Sequence, residues 1–367
     1  MLRRTHMSLA LLKERISREF GTPAVVIDLG RVESNIARIQ ALCDAAGVAN
    51  RPHIKTHKSP VLAKMQISAG ARGITCQKLG EAEIMAAAGI EDIVVSYNLI
   101  GAARSGRLAA LRKRADVTIC ADNPVTLAAY AEAAESAEAP IGVMIECDTG
   151  RKRAGVETPK EAVDLARIVR DTTGLEFRGL LFYPTEDGWD AAQRFHDQAA
   201  EGLRSLGLEP GIISTGGTPN LPNIGKLIGA TEHRAGTYIF NDRMMMACGQ
   251  ASEDDCALHV FATVVSRAGP ERGILDSGSK TLTADPGGNL DGYGHILEYP
   301  QARISAFSEE HGFLDLSRTN ERPDVGEVVR IIPNHVCVVV NMVDQLIAVR
   351  NNEIVDVLPV AARGKLV

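Results

Sequence analysis

The feature that most constrains the fold is a regular alternation of short β-branched runs with longer amphipathic stretches. It begins at AVVIDL (24–29) and continues to about residue 242. Strands that alternate with helices of about 10–15 residues indicate repeated βαβ units, because parallel neighbours need a crossover connection. Counting from RPHIK, eight predicted strands follow one another, at 51–55, 73–78, 92–99, 116–122, 141–148, 177–184, 211–217 and 233–242.

Eight parallel strands are the number that closes a (β/α)8 barrel. A doubly wound open sheet is the alternative. It is disfavoured because no GxGxxG follows the first strand, and because polar residues end many strands, where barrel enzymes place their chemistry. We therefore predict an α/β protein with a TIM-type barrel over residues 1–249, in which residues 1–30 either join the barrel or pack with the domain that follows.

The sequence pattern changes after residue 250, from alternating strands and helices to strands alone. Runs such as EVVRIIPNHVCVVVNM show period-two alternation and are separated by turn residues, and NNEI near 351 is typical of a hairpin turn. We predict a second, β-rich domain over residues 250–367.

Charge and cysteine content limit the partners and the compartment. The net charge is −6 without a long basic run, which argues against nucleic acid or an anionic membrane as the main partner. Seven scattered cysteines do not resemble a disulfide framework, so we expect a reducing cytoplasm. The first 20 residues fit an amphipathic helix better than a signal peptide, because charged residues interrupt the apolar run.

RPHIKTHK (51–58) is the densest cluster of reactive side chains. A lysine at the mouth of a barrel is partly buried, which lowers its pKa and suits it to Schiff-base chemistry with an aldehyde. The segment alone fits a basic surface loop equally well.

Two further segments could surround an anionic ligand. STGGTPN (214–220) follows a strand and HRAGTY (233–238) ends another, so both could offer backbone N–H donors to a phosphate, although glycine-rich turns are common. ECDTGRKRAG (146–155) presents three basic residues. One arginine could face a cofactor ring, whereas Arg151 and Lys152 are expected to be solvated.

NHVC (334–337) lies in an extended apolar run. On a strand, His335 and Cys337 would point to the same face, and imidazole plus thiolate suits a divalent ion, above all zinc. A core cysteine beside an exposed histidine is the alternative. His311 in EEHG is a further candidate ligand or substrate contact.

Taken together, these segments resemble the D-threonine aldolase and D-serine dehydratase family, whose barrel is related to alanine racemase. The resemblance covers nearly the whole chain and rests on TPAVVIDL, RPHIKTHK, GITCQKLGEAE, ECDTGRKRAG, STGGTP, RAGTY, LDSGSKT, EEHG, PNHVC and ARGK. It implies a pyridoxal 5'-phosphate (PLP) barrel of the alanine racemase type, a C-terminal β domain, a homodimer and a divalent metal such as Zn, Mn or Mg.

The resemblance also implies roles for individual residues. Lys55 matches the Schiff-base lysine, Arg153 the arginine that faces the pyridine nitrogen, and Gln77 and Tyr183 residues near the cofactor ring. His335 and Cys337 match the metal pair, so we place His335 with Lys55 among the catalytic residues, and His53 and His311 as substrate contacts. The remaining matches form the phosphate cradle, namely Thr215, Gly216, Gly217, Thr218, Gly236, Thr237 and Tyr238.

Two reactions fit a PLP- and metal-dependent lyase of D-β-hydroxy amino acids. KTHK and GITCQKLGEAE favour an aldolase that cleaves D-threonine to glycine and acetaldehyde. His-x-Cys favours a dehydratase, because aldolases of the family usually carry His-x-Asp with a harder ion such as Mn²⁺ or Mg²⁺. The segment YPTEDGW (183–189) also lacks a histidine that many relatives carry in this region, so the resemblance does not supply a histidine base for the hydroxyl proton. We predict the aldolase, and we place an amino-acid racemase and a non-catalytic PLP carrier behind both lyases.

Overall fold

The computed structural model describes residues 8–367. Its helices, in chain order, are α1 (Leu9–Glu19), α2 (Leu29–Ala45), α3 (Pro60–Ser68), α4 (Leu79–Ala87), α5 (Ala102–Arg112), α6 (Pro124–Ala137), α7 (Pro159–Asp171), α8 (Trp189–Ser205), α9 (Arg243–Ala247), α10 (Ser279–Leu282) and α11 (Val336–Met342).

The strands are β1 (Ala24–Asp28), β2 (Ala49–Asn50), β3 (Ile74–Cys76), β4 (Asp92–Val95), β5 (Asp116–Ala121), β6 (Ile141–Cys147), β7 (Leu175–Phe182), β8 (Ile212–Gly216), β9 (Glu232–Arg234), β10 (Leu258–Arg267), β11 (Arg272–Leu275), β12 (His295–Ile296), β13 (Arg303–Phe307), β14 (Gly312–Asp315), β15 (Val328–Ile332), β16 (Gln345–Arg350) and β17 (Glu353–Pro359). Short 3-10 turns lie at Ile54–Thr56, Thr218–Asn223, Thr237–Ile239 and Glu253–Asp255.

Strands β2 to β9 form a parallel eight-stranded sheet in the order β2-β9-β8-β7-β6-β5-β4-β3. The two outer strands meet, because His53 just after β2 bridges Thr75 of β3 and the Thr75 N–H donates to Pro52 O at 2.8 Å. The sheet therefore curls onto itself, and the predicted α/β fold class, a TIM-type barrel followed by a β domain, is confirmed.

Alternation along each strand separates two apolar layers of the barrel. One buried cluster takes single residues from five adjacent strands, namely Val94, Cys120, Met144, Leu181 and Ile212. Their neighbours in the sequence belong to the larger cluster that includes the apolar faces of α4 to α8. Because successive side chains of a strand point to opposite faces, the first cluster fills the barrel and the second packs the helices against it.

The remaining strands form a second, mostly antiparallel sheet. Its main path is β13-β14-β11-β10-β1-β16-β17, and β15 connects β10 to β12. Strand β1 pairs with β10 and β16, so the early segment AVVIDL lies in this sheet. Helix α1 packs on it through Leu12 and Ile16. The hairpin predicted at NNEI is present, with Asn351 and Asn352 both at positive φ between β16 and β17.

Contacts divide the chain into two compact units. Among the described residues, one contains 37–55, 60–236 and 365–367 with the whole barrel sheet, and the other contains 8–36, 56–59 and 237–364 with the second sheet. Residues 237–249, which the sequence assigns to the barrel domain, thus cluster with the second sheet. No helix within residues 8–367 is long and apolar enough to cross a membrane.

Candidate active site

Lys55 lies in a turn directly after the first barrel strand. The strand predicted over 51–55 is shorter in the structure, because β2 ends at Asn50 and a 3-10 turn begins at Ile54. The pairing with β9 continues nonetheless, since the Arg51 N–H donates to His233 O at 2.9 Å and the His53 N–H to Ala235 O at 2.8 Å. Lys55 is therefore carried to the carboxyl end of the barrel.

His53 forms a hydrogen-bonded chain beneath Lys55. The His53 Nδ1 accepts the Lys55 N–H at 3.4 Å, and its Nε2 lies 3.2 Å from Gln77 Oε1. Gln77 Nε2 donates to Ser96 O at 3.0 Å, which leaves its oxygen to accept a proton from His53. Burial, and then the charges of Lys55 and Arg234, hold the pKa of His53 well below its usual range. His53 is therefore a neutral imidazole whose tautomer follows from these partners.

The glycine-rich turn after β8 is crowded, and this explains its glycines. A methyl group on Gly217, whose φ is +104°, would lie 2.6 Å from Tyr183 Cε2. A methyl group on Gly216 would lie 2.9 Å from Arg234 O. The Gly217 N–H already donates to Arg234 O at 2.7 Å, and glycine is required at this position because Tyr183 occupies the space that a side chain would take.

The other predicted cradle residues are distributed over both units. Gly236 N–H donates to Thr218 Oγ1 at 3.3 Å, so these two residues meet at the ends of β8 and β9. Thr215 Oγ1 lies 2.9 Å from His233 Nδ1 inside the barrel. Thr237 and Tyr238 lie in the 3-10 turn of the other unit, where Thr237 Oγ1 is 3.9 Å from Cys337 Sγ.

Two arginines lie over the ring of Tyr183, which follows β7. The Arg153 guanidinium is 5.0 Å from the ring centroid, and Arg153 Nη2 is 3.7 Å from Glu146 Oε1. Arg151 lies closer, at 4.2 Å from the centroid, and it donates to Pro184 O and to Glu186 at 2.8 Å. Arg151 is thus ordered against Tyr183, and our expectation of a solvated side chain is wrong for it, because the aromatic face and these acceptors hold it.

Arg234 is a buried cation that is not among the predicted site residues. Its guanidinium donates to Ser214 Oγ and, at 3.0 Å, to Phe182 O. Ser214 Oγ in turn donates to Glu232 Oε1 at 2.6 Å, and Arg51 Nε lies 2.6 Å from the other oxygen of that carboxylate. The signal in the sequence is the spacing of two between Glu232 and Arg234, which places both on the inner face of β9.

The segment NHVC does not form the strand that we expected. Strand β15 ends at Ile332, and after Pro333 and Asn334 helix α11 begins at Val336. Proline cannot continue the ladder, and Asp242 Oδ2 accepts the Val336 N–H at 3.0 Å, so a helix N-terminus forms instead. His335 and Cys337 still contact each other, now across the start of this helix.

The environment of the pair favours a charged histidine. Burial lowers the pKa of His335, but the hydrogen bond to Cys337, the thiolate charge and Asp285 together raise it to about 10. Cys337 Sγ also lies 3.1 Å from the hydroxyl of Thr56, the residue that follows Lys55. Asp285 Oδ2 lies 2.8 Å from His335 Nδ1, a partner fifty positions away that no sequence pattern indicates. Within residues 8–367, no three His, Cys, Asp or Glu side chains form a group that could hold a metal.

His311 lies in an exposed turn between β13 and β14. Its carbonyl accepts the Ser308 N–H at 2.9 Å, and its backbone packs tightly on Gly278, where an added methyl group would lie 2.5 Å from the His311 nitrogen. The structure thus holds the backbone of this turn in place.

Comparison with known proteins identifies the family. The model for "Alanine racemase, N-terminal domain" matches residues 27–244, and that for "Putative serine dehydratase domain" matches residues 257–349. D-threonine aldolase from Arthrobacter sp. is 35% identical over 94% of this chain and 93% of its own length. The chain belongs to the D-threonine aldolase and D-serine dehydratase-like family.

Further members of the family agree with this assignment. D-threo-3-hydroxyaspartate dehydratase from Delftia sp. is 34% identical, with 86% of this chain and 90% of that protein covered. The crystal structure of D-threonine aldolase from Filomicrobium marinum superposes with a TM-score of 0.86 at 31% identity, over 94% of this chain and 96% of that one. As a member of a family of aldolases and dehydratases, the chain is a PLP-dependent lyase.

Proposed function

We propose that this chain cleaves D-β-hydroxy amino acids with PLP and a divalent metal ion, and that D-threonine is split to glycine and acetaldehyde. The observation that carries the proposal is the convergence of Lys55, the buried cation Arg234 and a glycine-lined turn at the carboxyl end of the barrel, in a chain 35% identical to a D-threonine aldolase. Barrel enzymes place their reacting groups at this end.

The barrel residues fit a phosphorylated aromatic aldehyde. Burial, and then the charges of Lys55, Arg234 and Arg153, lower the pKa of His53, and we assign these cations to the surroundings of an anionic ligand. The Thr218 hydroxyl, which accepts the Gly236 N–H at 3.3 Å, is suited to the phosphate, and the glycines at 216 and 217 let the turn pack closely against Arg234 and Tyr183. In this proposal Lys55 holds the cofactor covalently, Arg153 faces the pyridine nitrogen, and Tyr183 and Gln77 flank the ring.

The pair of His335 and Cys337 fits an ion whose other ligands are water or substrate. Two protein ligands leave coordination positions open, as in catalytic rather than structural metal sites. Imidazole and thiolate suit zinc best, while Mn and Mg remain the alternatives for an aldolase. We assign this pair to the substrate's β-hydroxyl, whose proton becomes more acidic beside a divalent cation.

The chain's own groups then divide the work of the cleavage. PLP, when bound, supplies an electron sink for the bond that breaks at Cα. The hydroxyl loses its proton, the electron pair of the Cα–Cβ bond passes to Cα, and a proton is added there to give glycine and acetaldehyde. We propose that the amine of Lys55 supplies the proton at Cα and that His53 supports this lysine. His53 and His311 are also proposed to contact the substrate.

A dehydratase is the second candidate, and Cys337 is the observation that favours it. A thiolate beside His335 selects a softer ion than a carboxylate does, and the Delftia relative is a dehydratase. D-Threonine would then give 2-oxobutyrate and ammonia, after the α-proton moves to Lys55 and hydroxide leaves.

Product analysis separates the two lyases. The purified holoenzyme is incubated with D-threonine and with D-serine, with and without a chelator. Glycine and acetaldehyde that disappear on chelation support the aldolase, whereas ammonia and a 2-oxo acid establish the dehydratase. Interconversion of D- and L-forms that survives the chelator would overturn both.

We also propose a cytoplasmic homodimer. No disulfide joins any of the seven cysteines within residues 8–367, which fits a reducing compartment. Light scattering coupled to size exclusion measures the assembly, and a monomer of 39.3 kDa would contradict the dimer.

A further inference from the structure

Hydrogen bonds to its carboxylate and its backbone hold Asp285 beside the imidazole of His335. Its Oδ2 lies 2.8 Å from His335 Nδ1, and its Oδ1 accepts the Gly287 N–H at 2.9 Å. Its main-chain oxygen accepts from Asn334 Nδ2 at 3.2 Å, and Asn334 Oδ1 receives Arg243 Nη1 at 2.7 Å. Both oxygens of the carboxylate and its backbone are thus engaged, so its orientation is fixed before any ligand binds.

A carboxylate on Nδ1 decides what the other ring nitrogen can do. With a proton on Nδ1 directed at Asp285, the proton that a divalent cation displaces from the charged ring is the one on Nε2, so the metal ion finds its lone pair there. The carboxylate also increases the electron density of the ring and prevents its rotation. Because one carboxylate oxygen of Asp285 lies on His335 Nδ1 and the other accepts the Gly287 N–H, Asp285 acts on the imidazole in this arrangement.

We propose that Asp285 is a positioning residue that fixes the tautomer and the orientation of His335 for a divalent cation shared with Cys337. The proposal rests on the metal pair of the proposed function and adds a residue to it. Asp242 supports the same segment from the other side, because its carboxylate accepts the Val336 N–H at 3.0 Å and the Met245 N–H at 3.0 Å. The histidine is therefore held through its ring by Asp285, and the backbone beside it by Asp242.

A purely structural ion pair is the competing explanation, and the two make different predictions. The side chains of His335 and Asp285 are 29% and 31% exposed, and ion pairs with this much solvent contribute little to stability. Asp285→Asn should therefore leave the melting temperature of the metal-free protein unchanged. Loss of a carboxylate partner from a metal-bound histidine weakens metal binding by about 10–100-fold.

The test measures metal affinity directly, without reference to turnover. Chelator-stripped holoenzyme, with its PLP retained, is titrated with Zn²⁺ against a chromophoric chelator and with Co²⁺, whose visible spectrum reports its ligands. We expect Asp285→Asn and Asp285→Ala to bind Zn²⁺ about 10–100-fold more weakly and to alter the Co²⁺ spectrum. Asp291→Asn is the matched control, because Asp291 lies in the same connection and pairs with Arg303 and Arg318 on the surface.

The possible outcomes distinguish a failure of the role of Asp285 from a failure of the metal pair His335 and Cys337. Wild-type affinity and an unaltered Co²⁺ spectrum in Asp285→Asn would overturn the role of Asp285 and leave the metal pair intact. If Asp291→Asn weakened binding as much, the effect would be one of general charge and the proposal would fail. If the wild type bound no metal, or bound it equally well after His335→Ala, both the metal pair and Asp285 would be overturned.

Discussion

Alanine at Gly217 should separate the role of the glycine-rich turn in cofactor binding from its role in the fold. A methyl group there would lie 2.6 Å from Tyr183 Cε2, whereas carbon atoms in contact are about 3.5–4.0 Å apart. The ring of Tyr183 must therefore retreat by about 1 Å. A displacement of that size near reacting groups can lower the rate by about 100-fold. We expect kcat/KM to fall by about 100-fold and the affinity for PLP by about 10-fold.

Gly207→Ala is the matched control. Gly207 also has a positive φ, of +69°, but nothing lies within 4 Å of its added methyl group. Both variants carry backbone strain of about 1–3 kcal/mol, so both should lower the free energy of unfolding in urea, and only Gly217→Ala moves Tyr183. PLP affinity is measured by titrating the cofactor-free protein and following the visible absorption of bound PLP. If Gly217→Ala bound PLP and turned over substrate as Gly207→Ala does, the contact between residue 217 and Tyr183 would have no part in cofactor binding.

Tyr130→Phe tests a buried hydrogen-bonding group in the barrel unit, and His259→Gln tests the electrostatics of the other unit. Tyr130→Phe should lower the free energy of unfolding by about 3 kcal/mol. The buried hydroxyl accepts the Leu99 N–H at 3.0 Å and donates to Cys120 O at 2.8 Å, and phenylalanine removes both hydrogen bonds. A loss below about 1 kcal/mol in urea titrations would contradict this expectation. Burial, with the charges of Arg330 and Arg31, lowers the pKa of His259 to about 3 from the 6.5 of the unfolded chain. Because the unfolded state then binds the extra proton, stability is lost as pH falls below 6.5, at about 1.4 kcal/mol per pH unit. His259→Gln should therefore lose about 2 kcal/mol less than the wild type between pH 6.5 and 5.0, and parallel stability curves would show that His259 does not titrate in this way.

The barrel was predictable from the sequence because strand and helix periodicities are local. The β-branched runs that begin the units became β2 to β9, and the hairpin at Asn351 and Asn352 was visible from two residues that tolerate positive φ. The residues at which the strands end were harder to predict from the sequence. β9 stops at Arg234, and a 3-10 turn begins at Thr237, because Gly236 and its partners across the barrel decide where the chain turns.

The site was predictable only where its residues cluster in the sequence. Lys55, His53 and Gly217 belong to dense motifs, whereas Asp285 and Arg234 gain their significance from partners fifty and twenty positions away. The strand expected through His335 failed for the same reason, since the carboxylate that caps helix α11 comes from Asp242, more than ninety positions earlier. Long-range hydrogen bonds of this kind override local periodicity, and a single sequence does not display them.

If Lys55 joins this protein covalently to PLP, borohydride reduction of the holoenzyme fixes the cofactor on that residue. The holoenzyme is reduced, digested and analysed by tandem mass spectrometry, with Lys58 as the internal comparison three positions away. We predict one pyridoxyl phosphate group on Lys55, none on Lys58, and no labelling in Lys55→Ala. Label on another lysine, or a Lys55→Ala protein that is still labelled and still consumes D-threonine, would show that Lys55 is not the point of attachment.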